Sequence, residues 1–313
     1  MKNFISVEDV PSIDDLVSSA SQFKKEPYQS NIGDKKTLGL IFFNPSLRTR
    51  LSTVNAAKNL GMEVMVMNVG SDSWQLETEE GVIMDQDKAE HVKDAAAVIG
   101  SYCDIVGVRS FPTLEDAATD YREKIINAFV QYTGKPIVNL ESATLHPLQS
   151  LTDLLTIEET KTKSKPKVVL SWAPHIKPLP QAVANSFSQW MNHTDFDYVI
   201  TNPKGFDLHS DFVGETEVIH DQNEAFQNAD FIYAKNWSSY EDYGKVGDFG
   251  DWTIDKEKMS LTNQAKFMHC LPVRRNLIVT DEVLDSDNSF HIQQAGNRVW
   301  AAQAVLSEIL KAM

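Results

Sequence analysis

The sequence predicts an α/β protein built from two doubly wound parallel-sheet domains. Three observations carry that expectation. Short apolar runs alternate with helix-length amphipathic stretches, the pattern of parallel strands joined by crossover helices. The alternation is interrupted by a polar, Lys-rich piece at 160–166 and then starts again. The chain has 313 residues, too many for one ordinary core and suited to two of about 150.

The elements follow in order. Residues 12–25 read as an amphipathic helix. Residues 38–43, Leu-Gly-Leu-Ile-Phe-Phe, are apolar throughout, as a strand buried on both faces requires. Pro45 and Ser46 end that strand and can cap a helix over 47–60, which Gly61 stops. Residues 63–68 form a second strand, and the polar, weakly periodic stretch 70–87 is a long loop holding Trp74. A helix over 91–102, a strand over 104–109 ending on Arg109, a helix over 117–132 and a strand over 136–140 complete the first set. That last strand leads into Glu141 and His146, where a helix over 146–160 begins. In the second set the strands are 167–171, 198–201, 231–235 and 266–271, with helices over 180–192 and 223–228. A long final helix from 289 carries Arg298. The expected domains are 1–148 and 149–288, with helix 289–313 packing back on the first.

Composition narrows the function. The formal net charge is −15, which argues against nucleic acid or an anionic membrane as partner. An anion site must then be made by local basic residues. Two cysteines, Cys103 and Cys270, are no disulfide framework and fit a reducing cytoplasm. The N-terminus lacks an apolar signal core, and no run approaches membrane length. His91, His193, His209, His220 and His291 lack metal-ligand spacing, and no G-x-G-x-x-G or P-loop is present. Neither a metal nor a cofactor is predicted.

The chemistry is expected at the C-terminal ends of the strands, in the cleft between the domains. Ser46, Arg48 and Thr49 sit at a strand-to-helix turn. Free backbone N–H groups, the positive end of a helix dipole, two hydroxyls and a guanidinium fork there suit a phosphate. An ordinary capped helix with solvated arginines is the bland alternative. Arg109, Glu141 and His146 follow strands in the first half; His175, Lys235 and Cys270 do so in the second. Together they predict several cations, a neutral imidazole and a carboxylate around a small molecule bearing phosphate and carboxylate groups. His146 before Pro147 also reads as a helix cap, and Cys270 as a buried small hydrophobe.

Three stretches decide between these readings: Ser46-Leu47-Arg48-Thr49-Arg50, His146-Pro147-Leu148-Gln149-Ser150-Leu151-Thr152-Asp153, and His269-Cys270-Leu271-Pro272-Val273-Arg274-Arg275-Asn276. In order and spacing they resemble the aspartate/ornithine carbamoyltransferase family over nearly the whole chain. The resemblance implies transfer of a carbamoyl group from carbamoyl phosphate to an amine, with domain 1–148 holding carbamoyl phosphate. By the same resemblance Ser46, Leu47, Arg48 and Thr49 hold the phosphate, and Arg298 adds a cation. Arg109 and His146 face the carbonyl oxygen, within the motif of Pro147 and Leu148, and Gln149 lies near the carbamoyl nitrogen. Cys270 and Leu271 lie against the carbamoyl amide, Cys270 in contact and positioning rather than as a nucleophile. The family also implies a homotrimer in which Trp74 reaches the neighbouring subunit's site.

The acceptor is read from what differs. The Asp-x-x-x-Ser-Met-Gly element that meets a free α-amino group in ornithine carbamoyltransferases is absent; the chain has Lys235-Asn236-Trp237-Ser238-Ser239-Tyr240. Trp172-Ala173-Pro174-His175 and the run 178–186 resemble the branch that uses N-acylated ornithine. That resemblance places Glu141 at the ornithine side, and His175, Lys235 and Arg274 at the carboxylate and acyl groups. Members using the acetyl compound carry an acidic residue before the Glu-His pair and a lysine two residues after Arg-Arg-Asn. Here Ala89 precedes Glu90-His91, and Leu277 and Ile278 follow Asn276. N-succinyl-L-ornithine is therefore the expected acceptor, N-acetyl-L-ornithine the alternative. A non-catalytic small-molecule-binding regulator on the same fold is the alternative from another class.

Overall fold

Two parallel sheets organise the chain, one in each of two units. The computed structural model describes residues 1–313. Unit 1 comprises Met1–Pro112, Ala118–Leu148 and Arg298–Met313; unit 2 comprises Thr113–Ala117 and Gln149–Asn297.

Unit 1 begins with α1 (Ile13–Lys25), capped by the Ser12 hydroxyl. Its sheet contains β1 (Thr37–Phe42) and β2 (Glu63–Asn68), joined by α2 (Leu47–Asn59). The loop after β2 carries a two-residue strand, β3 (Leu76–Glu77), paired in parallel with β4 (Glu90–His91). Expecting only a loop there missed this pair, because two residues carry no periodicity. Next come α3 (Val92–Tyr102), β5 (Ile105–Arg109), α4 (Ala117–Asp120), α5 (Lys124–Tyr132) and β6 (Ile137–Glu141). The strand order is β2-β1-β5-β6, parallel throughout. Leu38 to Phe42 are all buried in the sheet interior, whereas the edge strand β2 exposes Glu63 and Met65. On one face Ile41, Val106, Val108 and Ile137 pack with Val92, Ala95 and Ala96 of α3 and Ile126 and Phe129 of α5. Each such fully buried aliphatic or aromatic side chain contributes roughly 1.5–3 kcal/mol.

The single helix expected over 117–132 is instead two. Glu123 sits in the left-handed region, φ 50° and ψ 41°, and breaks the run between α4 and α5. Helical periodicity does not reveal such a break, since a glutamate is an ordinary helix residue.

Unit 2 takes up the chain within α6 (Pro147–Thr160). Its strands are β7 (Lys167–Trp172), β8 (Asp197–Thr201), β9 (Glu217–Ile219), β10 (Phe231–Lys235) and β11 (Lys266–Met268), in the parallel order β11-β10-β7-β8-β9. Helices α7 (Ala182–Asn192), α8 (Ser210–Val213), α9 (Gln222–Phe226), α10 (Lys256–Met259) and α11 (Asp281–Leu284) connect or follow them. The short pieces β9, α8, α10 and α11 are too brief for pattern reading. Val169, Ile232 and Phe267 pack with Phe226, Val283 and Leu284 in its core.

The last helix, α12 (His291–Lys311), changes unit along its length. In the helix expected from 289 to pack on the first domain, the boundary between the units comes at Arg298. Gln294 and Asn297 are held by Asp153 and Thr156 of α6, which keeps the first turns of α12 in unit 2. Farther on, Gln303 bonds Asn59 and Pro27 of unit 1.

Candidate active site

The N-terminus of α2 carries the groups an anion site needs. Ser46 is its N-cap, with extended backbone and Oγ accepting from the Thr49 N–H at 3.3 Å. First-turn amides of a helix have no intrahelical carbonyl, so they and the dipole face the same spot. Arg298, buried on α12, donates Nη2 to Thr49 Oγ1 at 2.7 Å. The fold thus brings Ser46, Leu47, Arg48, Thr49 and Arg298 into one neighbourhood although 249 positions separate the last two.

A second group stands at the ends of β5 and β6. The β5–β6 register slips at Arg109, which pairs with Glu141 after Val108 has paired with Asn139. Such an irregularity re-aims side chains next to functional sites. Arg109 Nη1 donates to Glu141 Oε2, and the same oxygen lies 3.6 Å from His146 Nε2. All three residues are buried, and the Arg109 guanidinium stacks 4.4 Å from the Phe111 ring centre. Glu141 therefore offsets the charge of Arg109 and fixes its fork.

Glu123, which sequence reading missed, secures this group. Its Oε1 accepts from Ser142 Oγ at 2.6 Å, Thr144 N at 2.7 Å and Thr144 Oγ1 at 2.6 Å; its Oε2 accepts from Ala143 N at 3.1 Å. Those residues form the turn between Glu141 and His146. A non-glycine αL residue persists where its surroundings over-determine it, and four donors on one carboxylate do so here.

Trp74 lies in the loop after β2 and is 56% exposed, its indole donating to Glu90 Oε2 at 2.9 Å. Val82, Ile83 and Met84 are exposed in the same loop.

Unit 2 supplies the remaining candidates. Gln149 is buried on α6. Beyond β11, Leu271 adopts φ 60°, a strained value for leucine of the kind that clusters at functional sites. The half-buried Cys270 precedes it. Beyond β7 and β10, the loops are stitched together: Asn236 Nδ2 donates to Ala173 O at 2.7 Å, and Trp172 Nε1 donates to Trp237 O at 2.9 Å. These bonds fix the backbone beside His175 and Lys235. Arg274 Nε donates to His175 Nε2 at 3.1 Å, so His175 carries its proton on Nδ1, which donates to Lys177 O at 2.8 Å. Burial, with further push from Lys235 and Arg274, lowers the His175 pKa and keeps the ring neutral. Lys235 is only 8% exposed. Neither Lys235 nor Arg274 pairs with a carboxylate, and the Arg274 side chain bonds only to His175.

Comparison with known proteins agrees with this architecture. The profile "Aspartate/ornithine carbamoyltransferase, carbamoyl-P binding domain" matches residues 2–159, and "Aspartate/ornithine carbamoyltransferase, Asp/Orn binding domain" matches 180–309. The chain belongs to the aspartate/ornithine carbamoyltransferase family. Within that family, the N-succinylornithine carbamoyltransferase of Bacteroides thetaiotaomicron is 52% identical over 317 residues, covering 100% of both chains. The N-acetylornithine carbamoyltransferase of Xanthomonas campestris is 34% identical, over 99% of this chain and 98% of that one. Among solved carbamoyltransferase structures, an N-acetyl-L-ornithine transcarbamylase with one glutamate replaced by alanine, bound to carbamoyl phosphate and N-succinyl-L-norvaline, superposes with a TM-score of 0.93. That chain is 34% identical, with 99% of this chain and 100% of that one covered. The expected α/β class and the carbamoyltransferase family thus both hold.

Proposed function

We propose that this protein transfers the carbamoyl group of carbamoyl phosphate to the side-chain amine of N-succinyl-L-ornithine, giving N-succinyl-L-citrulline and phosphate in arginine biosynthesis. The observation that carries the acceptor is the pair of cations Lys235 and Arg274, gathered on neutral His175 with no carboxylate to neutralise them. A ligand with two carboxylates supplies what they lack. Ala89 supports the same reading: the chain has a methyl group where a glutamate would repel a succinyl carboxylate. Variants of the acetylornithine enzyme with one glutamate replaced by alanine, proline, valine or serine hold N-succinyl-L-norvaline.

In this reading Ser46, Leu47, Arg48, Thr49 and Arg298 hold the phosphate and stabilise it as it leaves. Attack of the neutral amine puts negative charge on the carbonyl oxygen. Arg109 and His146, set beforehand by Glu141 and the Glu123 turn, stabilise that oxyanion; one such donor is typically worth about 3 kcal/mol. Gln149, Cys270 and Leu271 hold the carbamoyl amide, and the departing phosphate takes the amine proton. Holding both reactants in attack geometry supplies the rest of the acceleration. Glu141 also borders the ornithine side.

The active assembly in this reading is a cytoplasmic homotrimer, with Trp74 completing the adjacent subunit's site. An exposed tryptophan in the same loop as exposed Val82, Ile83 and Met84 offers area suited to burial by a neighbour. The direct test is ureido-product formation from carbamoyl phosphate with N-succinyl-L-ornithine, L-ornithine or L-aspartate as acceptor. Turnover with the succinyl compound is expected; turnover only with a free amino acid would overturn the assignment.

A further inference from the structure

The side-chain amide of Gln149 has a donor end and an acceptor end, and the fold assigns them. Gln149 Nε2 donates to Asp153 Oδ1 at 2.6 Å, one turn farther along α6. The same oxygen accepts from Gln294 Nε2 of α12, also at 2.6 Å. Gln294 turns its Oε1 to the backbone N–H of His269 at 2.8 Å, just beyond β11. His269 Nδ1 in turn accepts from the Leu271 N–H at 2.8 Å. Asp153 and Gln294 are fully buried. Asp153 Oδ1 accepts from both glutamines, so each gives it an NH2 group and points its carbonyl end elsewhere. One carboxylate thus fixes the orientation of Gln149 and, through Gln294 and His269, the backbone at Cys270 and Leu271.

A carbamoyl group differs from an acetyl group by an NH2 in place of a methyl. The NH2 needs acceptors; a methyl leaves those acceptors unpaired. A site built to hydrogen-bond a polar group therefore rejects the analogue that lacks it far better than an apolar pocket rejects an extra methylene.

We propose that Asp153 is a positioning residue for carbamoyl selectivity: it commits the Gln149 NH2 and steadies the Cys270–Leu271 backbone, so that acceptors are presented to the carbamoyl NH2 and acetyl phosphate is refused. The proposal rests on the reading above that Gln149, Cys270 and Leu271 face the carbamoyl amide. An amide at position 153 can donate as well as accept, which frees Gln149 to turn its NH2 toward the ligand.

The test uses the full-length protein and compares the Kd of carbamoyl phosphate with the Ki of acetyl phosphate. Each is measured for the wild type, Asp153→Asn and Gln294→Met. The ratio counts only folded sites, so partial misfolding of a variant does not move it. The wild type is expected to favour carbamoyl phosphate strongly. Asp153→Asn should reduce that preference about tenfold or more, the loss of roughly one hydrogen bond. Gln294→Met, which removes the His269 arm and one donor to Asp153 but leaves the Gln149–Asp153 bond, should give a smaller reduction in the same direction. A wild type that does not discriminate overturns the carbamoyl phosphate reading and this proposal with it. A discriminating wild type whose ratio is unchanged in both variants overturns the role of Asp153 alone. Should Asp153→Asn fail to fold, an unchanged ratio in Gln294→Met overturns the proposal by itself.

Discussion

Lys235→Met separates the acyl site from the rest of the substrate. The side chain stands at the end of β10, only 8% exposed, with no carboxylate beside it. His175 and Arg274 add to the positive potential there, since both Lys235 and Arg274 push the His175 pKa down. On the proposed reading, the ligand-free protein buries a charge that the substrate, not the fold, neutralises. Methionine keeps most of the length and loses the charge. A hydrogen bond to a charged group is worth roughly 1.5–3 kcal/mol, so kcat/KM for N-succinyl-L-ornithine should fall roughly 10- to 150-fold. N-acetyl-L-ornithine has no second carboxylate, and its kcat/KM should change by less than about threefold, within the spread of a neutral core swap. The ligand-free variant should also be more stable, by on the order of 1 kcal/mol, or roughly 2–4 °C in Tm for domains of 150–250 residues. Steady-state kinetics with both acceptors and thermal unfolding without ligand measure the two effects. Equal losses with both acylornithines would assign Lys235 to the shared α-carboxylate and refute the reasoning. So would a less stable variant.

Three further outcomes are expected. Arg48→Lys should keep its fold, by circular dichroism, yet lose most turnover, because lysine keeps the charge at the α2 N-terminus but not the bidentate fork; near-wild-type turnover would remove Arg48 from the phosphate site. Mixing inactive Trp74→Ala with inactive His146→Ala subunits after mild dissociation should restore some activity, since mixed rings contain sites with neither lesion; no recovery despite demonstrated exchange would mean that Trp74 acts only within its own chain. His175, followed by the NMR signals of its ring, should titrate below the ordinary value of 6.5 in the free protein and move upward when N-succinyl-L-ornithine binds, because an anion favours the protonated ring. With the folded pKa depressed, the unfolded chain binds more protons between the two values, so stability should decline as pH falls through that window. A His175 signal that titrates at or above 6.5 without ligand would contradict the neutral, Arg274-accepting ring.

Much of the placement of the candidate residues was legible because strand ends announce themselves. Arg109, Glu141 and Lys235 close apolar runs, and Ser46 follows one as a capping residue should, so their placement follows from periodicity and punctuation. What was not legible depends on long-range geometry. The contact of Arg298 with Thr49 joins helices far apart in sequence, and nothing local announces it. Glu123 looks like a surface helix residue until its backbone turns left-handed and its carboxylate gathers the turn before His146. The Gln149–Asp153 spacing of four residues was visible as one helix turn, but the convergence of Gln294 on the same oxygen was not. The exchange of α12 between units at Arg298 was likewise hidden, because its helical pattern is continuous across that point.

The central claim is that the acyl pocket is built for a second carboxylate. The measurement that tests it most directly is the ratio of kcat/KM for N-succinyl-L-ornithine to that for N-acetyl-L-ornithine at saturating carbamoyl phosphate, in the wild type and in Ala89→Glu. The account predicts a wild-type ratio well above one and a shift toward the acetyl compound when glutamate stands at position 89, since desolvated like charges repel by several kcal/mol. A wild-type preference for N-acetyl-L-ornithine would contradict the claim, and a ratio unmoved by Ala89→Glu would place residue 89 away from the acyl group.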